Sequence, residues 1–130
     1  PSEPERFYHG FVLVMMVELA DRYALTSNRE SGFGRYDVVL EPRQDSGVSG
    51  ALELVAVIIE FKVQDTEEEE KLSDTVEAAL KQIDKKKYDA ALVAKGIPQN
   101  RIRKYGFAFC GKKVLIGRAG DEKHRSLQGG

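Results

Sequence analysis

The chain has 130 residues, of which 42% are hydrophobic and 32% charged, the size of one domain with enough length to bury a sizeable core. Its single cysteine, Cys110, excludes an intramolecular disulfide framework and a multi-cysteine zinc module. The longest apolar run, Phe11 to Val17, is too short to span a bilayer, and a net charge of −1 does not by itself announce a polyanionic partner.

With no signal-peptide pattern, a reducing, cytoplasmic setting without membrane attachment is expected. Because the chain opens on Pro1, it is expected to be a piece of a longer protein. One domain is predicted over residues 1–118, with residues 119–130 a polar, disordered tail.

In chain order, Glu5 to Tyr23 reads as a helix. It is apolar over most of its circumference and therefore predicted to be well buried. Asn28 to Gly34, rich in Gly, Ser and Asn, reads as a turn. Arg35 to Leu40 is a short strand closed by Pro42, and Arg43 to Gly50 a loop. Val55 to Val63 is apolar at both parities, as in a central strand buried on both faces. Thr66 is placed to cap the next helix, with Glu67 to Glu70 in its first turn. That helix carries the stripe Leu72, Val76, Ala79, Leu80, Ile83 and is predicted to run to Lys95. A hairpin around Gly111 follows. The order is α/β, a mixed sheet flanked by helices.

Charge is unevenly distributed. Residues 64–89 carry nine acids against five lysines, whereas residues 91–118 carry seven bases and no acid. Arg103 and Lys104 lie in that basic third, which reads either as a phosphate-contacting surface or as a solvated hairpin with ordinary surface lysines, with docking of an acidic partner or a neighbouring domain as a competing role.

The central strand holds an anomaly. In Ile58-Ile59-Glu60-Phe61-Lys62-Val63, alternation puts Glu60 and Lys62 on one face with Ala56 and Ile58. Two ionised groups leaving a hydrophobic wall are costly unless paired or bound to something charged. Asp37 sits second in Tyr36-Asp37-Val38-Val39-Leu40, where aspartate is disfavoured. If the two strands are neighbours, Asp37 and Glu60 converge on one hard cation, such as Mg²⁺ or Mn²⁺, which takes one or two carboxylates plus waters. Lys62 would reach the same space and act on the attacking water or on developing phosphate charge.

These residues resemble the PD-(D/E)XK nuclease superfamily, more narrowly the bacterial branch whose nuclease domain follows an AAA-ATPase-like domain. The matching stretches are Glu5-Arg6-Phe7-Tyr8-His9-Gly10-Phe11, Ser27 through Asp37, Ile59-Glu60-Phe61-Lys62-Val63, Ala79-Leu80-Lys81-Gln82-Ile83, Lys87-Tyr88 and Tyr105-Gly106-Phe107-Ala108-Phe109. The resemblance implies a restriction-endonuclease-like core of order αβββαβ. It puts the superfamily aspartate on Asp37, the metal glutamate on Glu60, the lysine on Lys62 and a metal-ligating backbone carbonyl on Phe61. Gln82 takes the glutamine of the following helix. Tyr36 stands where the superfamily's name has proline, a position of backbone shape rather than ligand chemistry.

On the first helix, Glu5 and Glu18 are both candidate site acids, about 140° apart around the axis. The face of Glu5 and His9 is favoured because it lies in the matching stretch. His9 can equally be a histidine bonded to a backbone carbonyl, and Tyr88 reads as packing at a helix edge. Arg29 and Arg35, flanking the glycine loop before Asp37, are candidates for phosphate contact. The function implied is a metal-dependent nuclease, with DNA the expected substrate. The alternative is a nuclease-fold interaction or regulatory domain with weak or no cleavage, acting within a larger ATPase-containing protein.

Overall fold

A computed structural model describes residues 3–30, 35–43, 54–120 and 125–128, with backbone alone at residues 3, 4, 29, 30 and 125–128. Its elements are α1 (Glu3–Glu18), β1 (Tyr23–Glu30), β2 (Arg35–Pro42), β3 (Ala56–Val63), α2 (Leu72–Lys86), α3 (Tyr88–Ala94), β4 (Ile102–Cys110), β5 (Lys113–Arg118) and β6 (Arg125–Gln128). The six strands form one sheet in sequence order. All neighbours are antiparallel except β3 and β4. Parallel neighbours need a crossover, and α2 with α3 supplies it. Among the described residues no helix is long and apolar enough to cross a membrane.

Alternation along β2 and β3 sorts two cores onto the two faces of the sheet. One face carries Tyr36, Val38, Ile59, Phe61, Phe107 and Phe109 and receives α1 through Tyr8, Phe7 and Phe11. Tyr8 stacks on Tyr36 with ring centroids 4.3 Å apart, and Phe7 meets Phe109 edge to face at 5.3 Å, both within the favourable range for aromatic pairs. The other face carries Ala56, Ile58, Ile102 and Ala108 and receives Val76, Leu80 and Ile83 of α2 with Leu92 of α3. The predicted stripe of α2 is thus its buried face.

Gly106 permits that packing. A Cβ there would lie 2.9 Å from the Val76 carbonyl oxygen and 3.2 Å from the Ala79 Cβ, so only glycine lets α2 approach this closely.

Several expectations are corrected. Tyr23–Glu30 is an edge strand, not the end of a helix followed by a turn; Thr26, Ser27 and Asn28 are exposed and gave no strand-like apolar pattern. Helix α1 ends at Glu18 and buries one side only, with Leu13, Val14, Met16 and Val17 52–70% exposed.

Thr66 does not cap α2. Asp65 instead organises a turn, its carboxylate accepting from the Glu67 N–H and its carbonyl from the Glu69 N–H. The helix starts after Lys71, whose N–H is held by the Asp74 carboxylate at 2.9 Å. Nor does one helix run to Lys95: Lys87 is left-handed (φ 55°, ψ 34°) and separates α2 from α3. Such a backbone is unfavourable for a residue with a Cβ. Finally, Arg125–Gln128 pairs with β5, where a tail from Ala119 onward had been expected. The glycine turn at residues 31–34 and most of the loop after Arg43 lie outside the described residues.

Candidate active site

Asp37 and Glu60 are direct partners across the β2–β3 ladder. Residues opposite one another on antiparallel strands hold their Cβ atoms about 5 Å apart on a shared face. That face is the one covered by α2, because Asp37 alternates with Tyr36 and Val38, and Glu60 with Ile59 and Phe61. The convergence predicted from alternation is therefore present. Both carboxylates are buried, Asp37 to 1% exposure and Glu60 to 0%.

Two side chains from beyond α2's apolar stripe reach the pair. Lys86, in the last turn of α2, places its Nζ 2.7 Å from Asp37 Oδ2 and 3.3 Å from Glu60 Oε1. Tyr88 donates its hydroxyl to Asp37 Oδ2 at 2.9 Å. The left-handed turn at Lys87 is what lets residues on either side of it face the same aspartate. Burial, the bond to Asp37 and the aspartate charge all push the Tyr88 hydroxyl above the ordinary tyrosine range, against a smaller opposing effect of Lys86 and of a bond with Asn28. Tyr88 thus stays a donor. The other aspartate oxygen, Oδ1, is buried without a hydrogen-bond partner. A buried acceptor is seldom left so.

Lys62 shares this face but turns away from the acid pair. Its Nζ lies 2.9 and 2.8 Å from the two Glu69 carboxylate oxygens, in a pair whose side chains are 9% and 10% exposed. Glu69 also accepts from the Asp65 N–H at 2.8 Å and the Thr75 hydroxyl at 3.0 Å. Burial alone would raise Glu69, but those bonds and the Lys62 charge outweigh it and hold its carboxyl below the ordinary range. Beside Lys62 opens a cavity of about 270 Å³ lined by Arg35, Lys62, Val63, Gln64 and Asp65. Arg35 is the ladder partner of Lys62, so both cations stand at one end of the β2–β3 pair.

Gln82 is half-buried one helical turn before Lys86, on the side of α2 that turns to the acids. Phe61 buries its ring in the α1 core, and its backbone runs between β2 and β4. Glu5 and His9 lie on α1, which covers the opposite face from Asp37 and Glu60; His9 is exposed, its ring against Tyr8, and Glu18 is exposed near the far end of the helix. The Arg29 side chain lies outside the described residues.

The basic third is not free of acid in three dimensions. Lys104 binds Asp84 at 2.9 Å and Asp89 at 3.0 Å, and Lys95 binds Glu41 at 3.0 Å. Arg103 donates to the Asn100 carbonyl at 2.7 Å. The acids of α2 and α3 fold over the bases that sequence separated from them.

Lys86 and Glu69 were missed as site residues. A signal existed for Lys86, which lies three residues beyond Ile83 and seven beyond Ala79, on the helix face that the apolar stripe marks as buried. Glu69 had none, being one of four consecutive glutamates.

Two buried carboxylates, each with one oxygen that accepts no hydrogen bond, supply hard oxygens that fit a hard divalent cation, and among the described residues the Lys86 ammonium touches both. Among the described residues no group of three or more His, Cys, Asp or Glu side chains gathers. The sheet with its parallel β3–β4 crossover and this acid pair define a nuclease-type α/β core. A family model described as the PD-(D/E)XK nuclease superfamily matches residues 3–119, and the chain belongs to that superfamily. No curated protein and no solved structure matches it.

Proposed function

We propose that the protein is a nuclease that hydrolyses phosphodiester bonds in DNA with Mg²⁺ or Mn²⁺ as its cofactor. The observation that carries this is the juxtaposition of Asp37 and Glu60, buried and paired across two strands around one cation. These carboxylates would hold the ion, with the Phe61 carbonyl as the further ligand that the resemblance implies. Bound there, the ion would supply Lewis-acid polarisation of a phosphoryl oxygen.

The remaining chemistry belongs to the chain. Lys62, fixed by both oxygens of Glu69, presents a positioned ammonium at the mouth of the cavity it shares with Arg35. Two cations on one wall orient a phosphodiester and stabilise negative charge that grows in the transition state. Gln82, half-buried on the helix over the acid pair, would orient a substrate oxygen or water, the role that the resemblance implies. Tyr88 holds Asp37 Oδ2, which leaves Oδ1 as the ligating oxygen.

The test is cleavage of plasmid and linear DNA with Mg²⁺, Mn²⁺ or EDTA. Asp37→Asn and Glu60→Gln should abolish both cutting and Mn²⁺ binding. Lys62→Ala should abolish cutting while the folded protein still binds Mn²⁺. Cutting that persists in EDTA or in Asp37→Asn refutes the proposal. Tight binding of a partner without any cutting would favour the interaction-domain alternative.

A further inference from the structure

The cation between the acids is a lysine that no part of the proposed chemistry uses. Lys86 reaches Asp37 Oδ2 and Glu60 Oε1 together, from a side chain that is 14% exposed. The other lysine of the site, Lys62, is engaged by Glu69 and leaves the acid pair to Lys86 alone among the lysines whose contacts are described.

We propose that Lys86 is a resident counter-cation of the Asp37–Glu60 pair that a divalent ion must displace, so that metal occupancy of the site is an exchange against Lys86. This rests on the metal reading given above and deepens it.

Three features carry the inference. First, the two cations crowd one another. Lys86 bonds Asp37 Oδ2 and Glu60 Oε1, while Asp37 Oδ1 and Glu60 Oε2 accept no hydrogen bond, so an ion about 2 Å from an oxygen of each acid is carried by the same two carboxylates as the ammonium. Two cations this close repel strongly in a buried setting. Second, among the described residues two carboxylates face one ammonium, and a doubly charged ion matches that pair of acids better than a single positive charge does. Third, the lysine can leave. It stands in the last turn of α2, on a flexible four-carbon stem, with the helix ending at Lys87. Rotamer changes can carry its ammonium outward while α2 stays anchored by Val76, Ala79, Leu80 and Ile83.

Exchange also fits the substrate. A divalent ion turns the net charge of the pair from negative to positive once Lys86 is counted, and a displaced ammonium beside it is attracted to a phosphodiester. Lys86 thus partly compensates the buried acids without metal, at a cost in metal affinity.

The experiment measures Mn²⁺ binding by isothermal titration calorimetry on the wild-type protein, Lys86→Met and Asp37→Asn. It is paired with acetylation footprinting of wild-type lysines by mass spectrometry along the same Mn²⁺ titration. Removing the competing unit charge should tighten Mn²⁺ binding about tenfold or more in Lys86→Met. Labelling of Lys86 should rise and saturate with Mn²⁺ occupancy, while Lys81, exposed on the same helix, stays constant.

Equal or weaker Mn²⁺ affinity in a folded Lys86→Met refutes the exchange. So does Lys86 labelling that stays low at Mn²⁺ saturation, a measurement that decides alone if the variant does not fold. The two levels separate cleanly. Mn²⁺ binding that Asp37→Asn abolishes but Lys86→Met leaves unchanged overturns the exchange only. Absence of Mn²⁺ binding to both the wild type and Lys86→Met overturns the metal reading beneath it, and the exchange with it.

Discussion

Replacing Glu69 by alanine should be among the most damaging single changes outside the aromatic core. The substitution leaves the Lys62 ammonium buried without its counter-ion and takes the acceptor from the Asp65 N–H and the Thr75 hydroxyl. Breaking a buried ion pair from one side costs about 3–5 kcal/mol, a large fraction of the roughly 5–15 kcal/mol by which a domain is stable. For a chain of this length that is a fall of roughly 10–20 °C in Tm.

The loss depends on pH in a defined direction. Glu69 has its carboxyl lowered on folding, so its contribution is fully present above the unfolded value of about 4.3 and disappears as pH falls through the lower folded value. Urea unfolding followed by circular dichroism at pH 7, then stepped into acid, should show a wide gap between wild type and Glu69→Ala that narrows below about pH 4. A gap under about 1 kcal/mol at pH 7, the size of an exposed pair, refutes the account. So does a gap indifferent to acid. The double variant Lys62→Met/Glu69→Leu should lose much less than the two single changes added together, since both charges go at once.

Gly106→Ala should cost about 1–3 kcal/mol by overpacking, because the Val76 carbonyl that its Cβ meets is backbone; chemical denaturation checks this, and a cost under about 0.5 kcal/mol would mean that α2 yields freely. Lys104→Gln should destabilise the fold by about 1 kcal/mol and leave the salt dependence of DNA binding unchanged, since Lys104 is spent on Asp84 and Asp89. Burial alone would lower the Lys104 ammonium, but its two carboxylate partners raise it above the ordinary lysine value. Its contribution should therefore persist at neutral pH and vanish only as pH climbs through that raised value. A shallower salt slope in Lys104→Gln would restore it to the nucleic-acid surface.

What could be read from sequence was whatever rests on strict alternation. The period of two in Ile58 to Val63 placed Glu60 on the side away from Phe61 before any neighbour was known, and the same rule applied to Tyr36-Asp37-Val38 put both acids on one face. Helix periodicity did as much for Val76, Ala79, Leu80 and Ile83. What escaped depended on contacts between distant segments or on backbone states that composition does not announce. The lysine of the acid pair comes from a helix end, 49 residues from Asp37 along the chain. The partner of Lys62 is one glutamate of a run, selected by a turn around Asp65. The basic third looked unneutralised because its acids, Asp84 and Asp89, precede it in the chain. Helix α1 looked buried because four of its apolar residues face outward, which a sequence cannot distinguish from a second buried face. Lys87 carries no glycine to advertise its left-handed turn.

The pairing of Asp37 with Glu60 also bears on how the chain avoids folding wrongly. The paired cores of the two strands, Val38-Val39-Leu40 of β2 and Val57-Ile58-Ile59 of β3, are apolar at both parities, so hydrophobicity there would tolerate a shift of either strand by one residue. Such a shift moves every side chain to the opposite face. Here it would drive a carboxylate into the aromatic layer of Tyr8, Phe7 and Phe109 and lift Tyr36 or Phe61 against α2. The acid pair therefore acts as a register pin between two otherwise slippery strands. Variants that make both positions apolar should gain sequence-level hydrophobicity and lose the uniqueness of the pairing.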